Sequence, residues 1–218
     1  MSLVAVTGTG TDVGKTYVTA AVAAALRARG RDVAARKPVQ SFAPGDERRH
    51  ATDADVLACA TGEAADAVCP AHRRLPAPVA PPMAAEALGL PPFAIDDLVR
   101  ETRAAAPPGA LVLVETAGGV RSPIAADGDC AAFVDALGPR LVVLVADAGL
   151  GTINLVRLSR EALGGQHVVV FLNRFDAGTD LHVRNGRWLR ARESLDVVTD
   201  IEALTSRIEA LTAPPADG

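Results

Sequence analysis

Hydrophobic residues are grouped along the chain into short unbroken runs, which alternate with longer segments at helical spacing. Apolar runs occupy residues 3–6, 111–114, 141–146 and 168–172, and further strands are predicted at 32–39 and 197–198. Continuous apolar strands are typical of a parallel sheet that is covered on both faces. Helices are predicted at 16–29, 53–60, 83–88, 95–105, 129–137, 152–163, 183–192 and 200–211. The pattern predicts a single-domain α/β fold over residues 1–218, with a mostly parallel sheet and helices on both faces.

Two segments interrupt this alternation. Residues 42–51 are polar and are predicted to form a loop. Residues 69–82 contain five prolines, so we expect an ordered loop there rather than a helix or strand. Between them, Thr52 is suited to cap the helix at 53–60, and Gly62 is suited to end it.

The segment at 6–16, VTGTGTDVGKT, joins the first strand to the first helix. A glycine-rich turn at a helix N-terminus directs backbone N–H groups at a phosphate, and the following Lys15 and Thr16 would add a charge and a magnesium-binding hydroxyl. Five residues separate Gly8 from Gly14, where the standard P-loop has four, so the match is to a variant. The segment predicts a nucleotide site of the P-loop NTPase type; the alternative is an ordinary strand–helix turn.

Composition excludes several classes of protein. Hydrophobic residues make up 49% of the 218 residues, which fits a packed globular core. No apolar run approaches the roughly 20 residues that span a bilayer, and no basic segment precedes residue 3, so we expect a cytoplasmic protein without a membrane partner. A net charge of −4 argues against nucleic-acid binding. The three cysteines, at 59, 69 and 130, form no close pair and are expected to be reduced.

Lysine is scarce in this chain, and the two that occur are candidates for chemistry. Of the 22 basic residues, Lys15 and Lys37 are lysine and the other 20 are arginine. A compact ammonium and a planar guanidinium differ in charge density and reach. Sites in parallel α/β sheets lie beyond the carboxyl ends of the strands. At those ends lie Lys15, Lys37, Glu115, Asp147 and Asn173.

Six motifs together resemble the dethiobiotin synthetase family. They are VTGTGTDVGKT at 6–16, KPVQS at 37–41, TDAD at 52–55, ETAGGV at 115–120, GLGTIN at 149–154 and LNR at 172–174. The resemblance implies an ATP-dependent cyclo-ligase of biotin synthesis, a cytoplasmic homodimer that requires Mg²⁺. Its substrates would be diaminopelargonic acid, CO₂ or bicarbonate, and ATP. The diamine would form a carbamate, which would be phosphorylated to a mixed anhydride and then closed to a ureido ring.

The resemblance also implies a role for individual residues. Lys37 and Lys15 would be catalytic, and Thr16, Asp53 and Glu115 would hold Mg²⁺. The nucleotide would be bound by Asp12, Val13, Gly14, Lys15, Thr16, Tyr17, Asp53, Glu115, Thr116, Ala117, Gly118, Asn173 and Arg174. The substrate would be bound by Thr11, Lys37, Ser41, Gly118, Gly151, Thr152, Ile153 and Asn154. The last four would reach the site of the neighbouring subunit.

Several alternatives stay open at this stage. Asp55 competes with Asp53 as the metal ligand, Asp147 matches no family role, and the preference for ATP over other nucleoside triphosphates is not determined by the sequence. A ParA/MinD-like ATPase switch is a rival, although such proteins carry a second lysine where this chain has Gly10. The other rival is a non-catalytic regulatory domain that resembles dethiobiotin synthetase.

Overall fold

Six parallel strands form the central sheet of the protein. The structure is a computed structural model that describes residues 2–45, 47 and 50–212, so residues 46, 48 and 49 of the predicted loop at 42–51 lie outside the described residues. The strands are β1 (Ser2–Gly8), β2 (Val33–Arg36), β3 (Gln40–Ser41), β4 (Arg74–Leu75), β5 (Leu111–Glu115), β6 (Pro123–Ala125), β7 (Gly128–Asp129), β8 (Leu141–Asp147), β9 (Val168–Asn173) and β10 (Asp196–Val198). The central sheet has the order β10-β9-β8-β1-β5-β2.

Helices cover both faces of this sheet, as predicted. They are α1 (Lys15–Ala28), α2 (Asp53–Thr61), α3 (Ala65–Val68), α4 (Pro81–Ala87), α5 (Ile95–Ala104), α6 (Cys130–Leu137), α7 (Thr152–Ala162), α8 (Asp180–Arg192) and α9 (Ile201–Thr212). Alternate residues of β5 enter two different cores: Val112 packs with Phe133 of α6, whereas Leu113 packs with Leu26 of α1. Because the strands of the central sheet are buried on both faces, their middle positions are apolar, which explains the continuous runs in the sequence.

The helix that begins at Asp53 starts and ends where the sequence predicts. The Thr52 side chain accepts from the backbone N–H of Asp55, the Asp55 carboxylate accepts from the backbone N–H of Thr52, and Gly62 follows with a φ of 75°. This reciprocal pair is a capping box, and the left-handed glycine ends the helix. The start of α2 is therefore fixed by local chemistry.

Some predicted boundaries were wrong. Strand β2 ends at Arg36 rather than residue 39, because Lys37 turns out of the sheet to donate its backbone N–H to Val68 O at 2.8 Å and Pro38 has no N–H. Helix α4 begins at Pro81, two residues before the predicted start, since proline is well tolerated in the first helical turn. The predicted loop at 69–82 also contains β4. Helix α8 begins at Asp180, three residues before the predicted start.

Two small two-stranded sheets were not predicted. Strands β3 and β4 pair in parallel beside the site, and β6 and β7 pair antiparallel. Strands of two or three residues are too short to show a hydrophobic period. Within residues 2–45, 47 and 50–212, no helix is both long enough and apolar enough to cross a membrane.

Candidate active site

The turn between β1 and α1 forms the floor of the site. Lys15 is the first residue of α1, and its ammonium donates back to Gly10 O at 3.0 Å. Asp12 and Gly14 both have left-handed backbones, with φ of 59° and 91°. Burial, followed by the charge of Lys37, lowers the pKa of Lys15. The turn thus places a lysine and the free N–H groups of a helix start at one point, which is an anion-binding arrangement.

The glycine at position 14 is required by its surroundings. A Cβ on Gly14 would lie 2.1 Å from Asn173 Nδ2, and its φ lies in the region that side chains rarely adopt. The Asn173 amide donates to Val13 O at 2.9 Å, so β9 is held directly against the turn. The close approach of these two segments depends on the missing side chain.

Four side chains from four segments meet beside the turn. Lys37 Nζ lies 2.7 Å from Glu115 Oε1 and 2.7 Å from Asp53 Oδ2. Thr16 Oγ1 lies 2.9 Å from Asp53 Oδ1 and 2.8 Å from Glu115 Oε1, so its single proton serves one carboxylate at a time. The structure therefore brings together the lysine, the hydroxyl and both carboxylates that the sequence singled out.

The cluster is electrostatically coupled. Burial alone would lower the pKa of Lys37, but the Glu115 and Asp53 carboxylates outweigh it and raise the pKa above the usual value. Burial alone would raise the pKa of Asp53, and contact with Lys37 instead brings it below the usual value. Lys37 is therefore an ammonium and Asp53 a carboxylate at neutral pH.

The same oxygens suit a divalent cation. Glu115 Oε2 is buried and has no hydrogen-bond partner among the described residues. Within that part of the chain no group of three or more histidines, cysteines or acids could form an all-protein metal cage. Two carboxylates and a hydroxyl are instead the small oxygen set that Mg²⁺ uses when water and phosphates complete its shell. The residues present thus fit Mg²⁺. Asp55 is held in the capping box of α2, which leaves Asp53 as the acid that meets Thr16 and Lys37.

A cavity of about 970 Å³ opens over the cluster. Ser41 lies on its wall and donates its hydroxyl to Val79 O at 2.7 Å. The predicted site residues that line this cavity are Thr11, Asp12, Gly14, Lys15, Thr16, Lys37, Ser41, Asp53, Ala117, Gly118 and Arg174. The cavity is large enough for a triphosphate group together with a second reactant.

A second cavity of about 540 Å³ shares Gly14 and Arg174 with the first. Tyr17 and Asn173, both predicted nucleotide-binding residues, line it. The remaining lining residues, which the sequence analysis did not single out, are Phe171, Phe175, Thr199, Asp200 and Ile201. Two neighbouring cavities that share Gly14 and Arg174 suit the two ends of a nucleotide.

Arg174 lies at the junction of the two cavities and explains the strand-end acid Asp147. The Arg174 guanidinium donates to Asp12 O at 2.8 Å and to Asp147 Oδ2 at 2.8 Å. Contact with Arg174 lowers the pKa of Asp147. Asp147 therefore orients an arginine that contacts the P-loop.

Not every predicted residue lies in a cavity of this chain. Glu115, Val13 and Thr116 do not line the cavities: Glu115 is buried behind Lys37, Val13 O accepts from Asn173, and Thr116 O accepts from Lys37 Nζ at 3.2 Å. The segment at 151–154 forms the start of α7 and lines neither cavity. It lies beside an exposed apolar surface, which we call the α7 surface, formed by Leu150, Leu155 and Leu158.

Among the cavity-wall residues that were not predicted, Gln40 is a buried polar side chain. Gln40 is buried, lines the larger cavity and accepts the backbone N–H of Ala54 at 3.0 Å. Its position inside the KPVQS motif, between Lys37 and Ser41, was the available signal.

Comparison with known proteins shows which family the chain resembles. A family model described as an AAA domain matches residues 3–206. The ATP-dependent dethiobiotin synthetase of Rhodococcus erythropolis is 42% identical over 168 residues, which are 77% of this chain and 72% of that protein. The protein of the same name from Mycobacterium tuberculosis is 44% identical over 173 residues, which are 77% of this chain and 71% of that protein.

Solved structures support the fold. The signal recognition particle receptor FtsY from Elizabethkingia anophelis superposes with a TM-score of 0.58 at 13% identity, over 97% of this chain and 65% of that one. The pNOB8 ParA structure gives a TM-score of 0.56 at 16% identity, over 90% of this chain and 80% of that one. At these identities the likeness concerns the P-loop NTPase fold alone. The sequence relatives decide the family, and the chain belongs to the ATP-dependent dethiobiotin synthetases.

Proposed function

We propose that this chain is a cyclo-ligase of biotin biosynthesis that closes a ureido ring on diaminopelargonic acid with CO₂ at the expense of ATP. The observation that carries the proposal is the position of Lys37. Its ammonium is buried between Glu115 and Asp53 in a cavity that also contains the P-loop lysine, Lys15. A phosphate-binding loop and a second buried ammonium in one cavity suit a reaction between a phosphoryl group and another anion.

The proposed reaction has three bond-forming steps. One amine of the diamine adds to CO₂ and loses a proton, which gives a carbamate. A carbamate oxygen then attacks the γ-phosphorus of ATP, and the bond to the bridging oxygen breaks to release ADP. The second amine finally attacks the carbonyl carbon, the bond from that carbon to the phosphate oxygen breaks, and inorganic phosphate and a proton leave.

Each step concentrates negative charge, so positioned cations and N–H donors would supply most of the rate enhancement. Lys15 and the N–H groups at the start of α1 would hold the phosphates. Lys37 would exchange its present carboxylate partners for the carbamate and the transferred phosphoryl group. Thr16, Asp53 and Glu115 would hold Mg²⁺, which when bound supplies a Lewis acid for the phosphate oxygens.

The smaller cavity is proposed as the site of the nucleotide base. Asn173 uses its Nδ2 on Val13 O, which leaves Oδ1 as an acceptor for an exocyclic amine. Tyr17 provides an exposed ring beside it, and Arg174 lies where the base and phosphate parts of the nucleotide would join. These features support ATP as the nucleotide.

A homodimer would complete the substrate site. The segment Gly151 to Asn154 presents the N-terminus of α7, a favourable place for a carboxylate, but it lies outside the cavities of its own chain. The adjacent α7 surface is apolar and exposed. We propose that two chains pair through this surface, so that each presents the segment to the other's cavity.

Product formation tests the proposal directly. The protein is incubated with diaminopelargonic acid, ¹³C-bicarbonate, Mg²⁺ and ATP, and the product is analysed by mass spectrometry. We expect one labelled carbon in a ureido product, with one ADP and one phosphate released per product. Lys37→Met is the matched control and should give almost none. Nucleotide binding without any product would contradict the proposal and favour a regulatory domain.

A further inference from the structure

Gln40 is fixed in one orientation by the start of α2. Its Oε1 accepts the backbone N–H of Ala54 at 3.0 Å. Ala54 is the second residue of α2, and N–H groups in the first turn of a helix have no helical acceptor. Because a backbone N–H can only donate, the atom that faces it is the amide oxygen. The amide nitrogen, Nε2, is therefore the polar atom of Gln40 that takes no part in the contact with Ala54.

That nitrogen has no partner in the part of the chain that the structure describes. Gln40 is 3% exposed, and its Nε2 makes no hydrogen bond to any described residue. A buried donor left without an acceptor costs about 1–3 kcal/mol, so such groups are rare in native proteins. Gln40 also lines the larger cavity. The missing acceptor is therefore expected to come from a bound reactant.

The position of Gln40 indicates which reactant this is. It lies in the segment that carries Lys37 and Ser41, and both of these also line the larger cavity. Lys37 already donates N–H groups to oxygen atoms of Glu115 and Thr116 beside that cavity. A carbamate has two oxygens that share one negative charge, so it can accept from two neighbouring donors at once.

We infer that Gln40 is a further substrate-binding residue, whose Nε2 donates a hydrogen bond to an oxygen of the carbamate while its Oε1 stays on Ala54. The inference rests on the proposed function. In this inference Gln40 has two roles at once, and each is carried by a different atom of its amide group. The oxygen supports the helix start that carries Asp53, and the nitrogen recognises the reactant.

Three variants separate these roles. Gln40→Met keeps the length of the side chain and removes both polar atoms. Gln40→Glu keeps an acceptor for Ala54 N–H but has no proton to donate. Thr52→Ala removes the capping hydroxyl from the same helix start and leaves Gln40 unchanged. It is the control for a loosened α2.

Two measurements are made on each protein. Carbamate bound to the protein is followed by ¹³C NMR with saturating diaminopelargonic acid and increasing ¹³C-bicarbonate, and Mg²⁺–ADP affinity is measured by calorimetry. Loss of a hydrogen bond to a charged group should weaken the apparent bicarbonate affinity of Gln40→Met by roughly 10- to 100-fold, and that of Gln40→Glu at least as much. The Mg²⁺–ADP affinity of both variants should stay within about threefold of that of the unmodified protein. Thr52→Ala should keep both affinities within about threefold of the unmodified protein, because it changes only the cap of α2.

Two results would overturn the inference while leaving the proposed function intact. In the first, Gln40→Glu keeps the normal carbamate signal, which would reduce Gln40 to a cap for α2. In the second, the apparent bicarbonate affinity of Gln40→Met equals that of Thr52→Ala, or Gln40→Met loses affinity for Mg²⁺–ADP and keeps its affinity for bicarbonate. If the unmodified protein forms neither the carbamate nor the product, the proposed function itself fails, and the inference fails with it.

Discussion

The Lys37 ammonium nitrogen lies 2.7 Å from Glu115 Oε1, and the two side chains are 3% and 0% exposed. An opposite-charge pair this deeply buried is stable only while both partners are present. Glu115 and Asp53 are also the carboxylates proposed to hold Mg²⁺, so the ammonium and the metal would compete for the same oxygens. Binding of Mg²⁺ and nucleotide would therefore release Lys37 toward the reactants.

The first prediction concerns the catalytic role of Lys37. Lys37→Met should reduce turnover by roughly a hundredfold or more, the scale of a lost electrostatic contact to the transition state. Nucleotide affinity should change far less, because Lys15 and the P-loop remain. Steady-state kinetics and calorimetry with ATP analogues measure the two effects. An equal loss of both would make Lys37 a phosphate-binding residue only.

The second prediction concerns the stability of the same variant. Without Mg²⁺, Lys37→Met leaves the buried Glu115 charge unpaired and should lower the free energy of unfolding by about 3–5 kcal/mol. Mg²⁺ alone should restore more stability to the variant than to the unmodified protein. The double variant Lys37→Met/Glu115→Gln is the control and should lose this response. Urea unfolding with and without Mg²⁺ measures the stability of each protein. An identical Mg²⁺ response in all three proteins would rule out competition between Lys37 and Mg²⁺ for the carboxylates.

The third prediction assigns the metal ligands. Asp53→Asn and Glu115→Gln keep the size of the side chain and remove a charge, so each should need much more Mg²⁺ for half-maximal activity. Asp55→Asn is the matched control, because its carboxylate accepts the N–H of Thr52 in the capping box. It should lower stability by about 1 kcal/mol with little change in the Mg²⁺ requirement. Should the Mg²⁺ titration shift for Asp55→Asn and not for Asp53→Asn, the assignment is reversed.

The fourth prediction concerns the contact between the P-loop and β9. Gly14→Ala adds a Cβ 2.1 Å from Asn173 Nδ2 at a φ of 91°, so it introduces both backbone strain and a clash. Gly30→Ala, at a φ of 80° with no atom within 4 Å, introduces the strain alone. Strain should cost about 1–2 kcal/mol in each variant, and Gly14→Ala should also lose most of its nucleotide affinity. Unfolding and binding assays compare them, and normal nucleotide binding by Gly14→Ala would contradict the tight contact.

The fifth prediction tests the shared site. Lys37→Met and Asn154→Ala homodimers should each be nearly inactive. After random exchange of equal amounts, about half of the dimers are mixed, and each mixed dimer has one intact site out of two. Activity should recover to about a quarter of the unmodified level. No recovery, when exchange is demonstrated by mass spectrometry, would mean that each site is built within one chain.

The sequence by itself determined the fold class, and it predicted the residues of the candidate site. The strands at 111–114, 141–146 and 168–172 are buried on both faces, so their composition alone identifies them. The turn at 6–16 and the capped helix at Asp53 are also local, because backbone geometry and neighbouring side chains specify them. The four side chains of the central cluster, Thr16, Lys37, Asp53 and Glu115, were all predicted site residues.

Only the tertiary structure decided how these residues are used. Lys37 and Glu115 are 78 positions apart, so their contact follows from the pairing of β2 with β5 and not from any local pattern. The resemblance favoured Asp53 over Asp55 as the metal ligand, and the tertiary structure supports this choice because Asp53 contacts Thr16 and Lys37. Gln40 became informative because its partner, Ala54, lies on another element and leaves one buried atom unpaired. A sequence pattern records which groups are available, whereas partners distant along the chain come together only when the sheet and its helices pack.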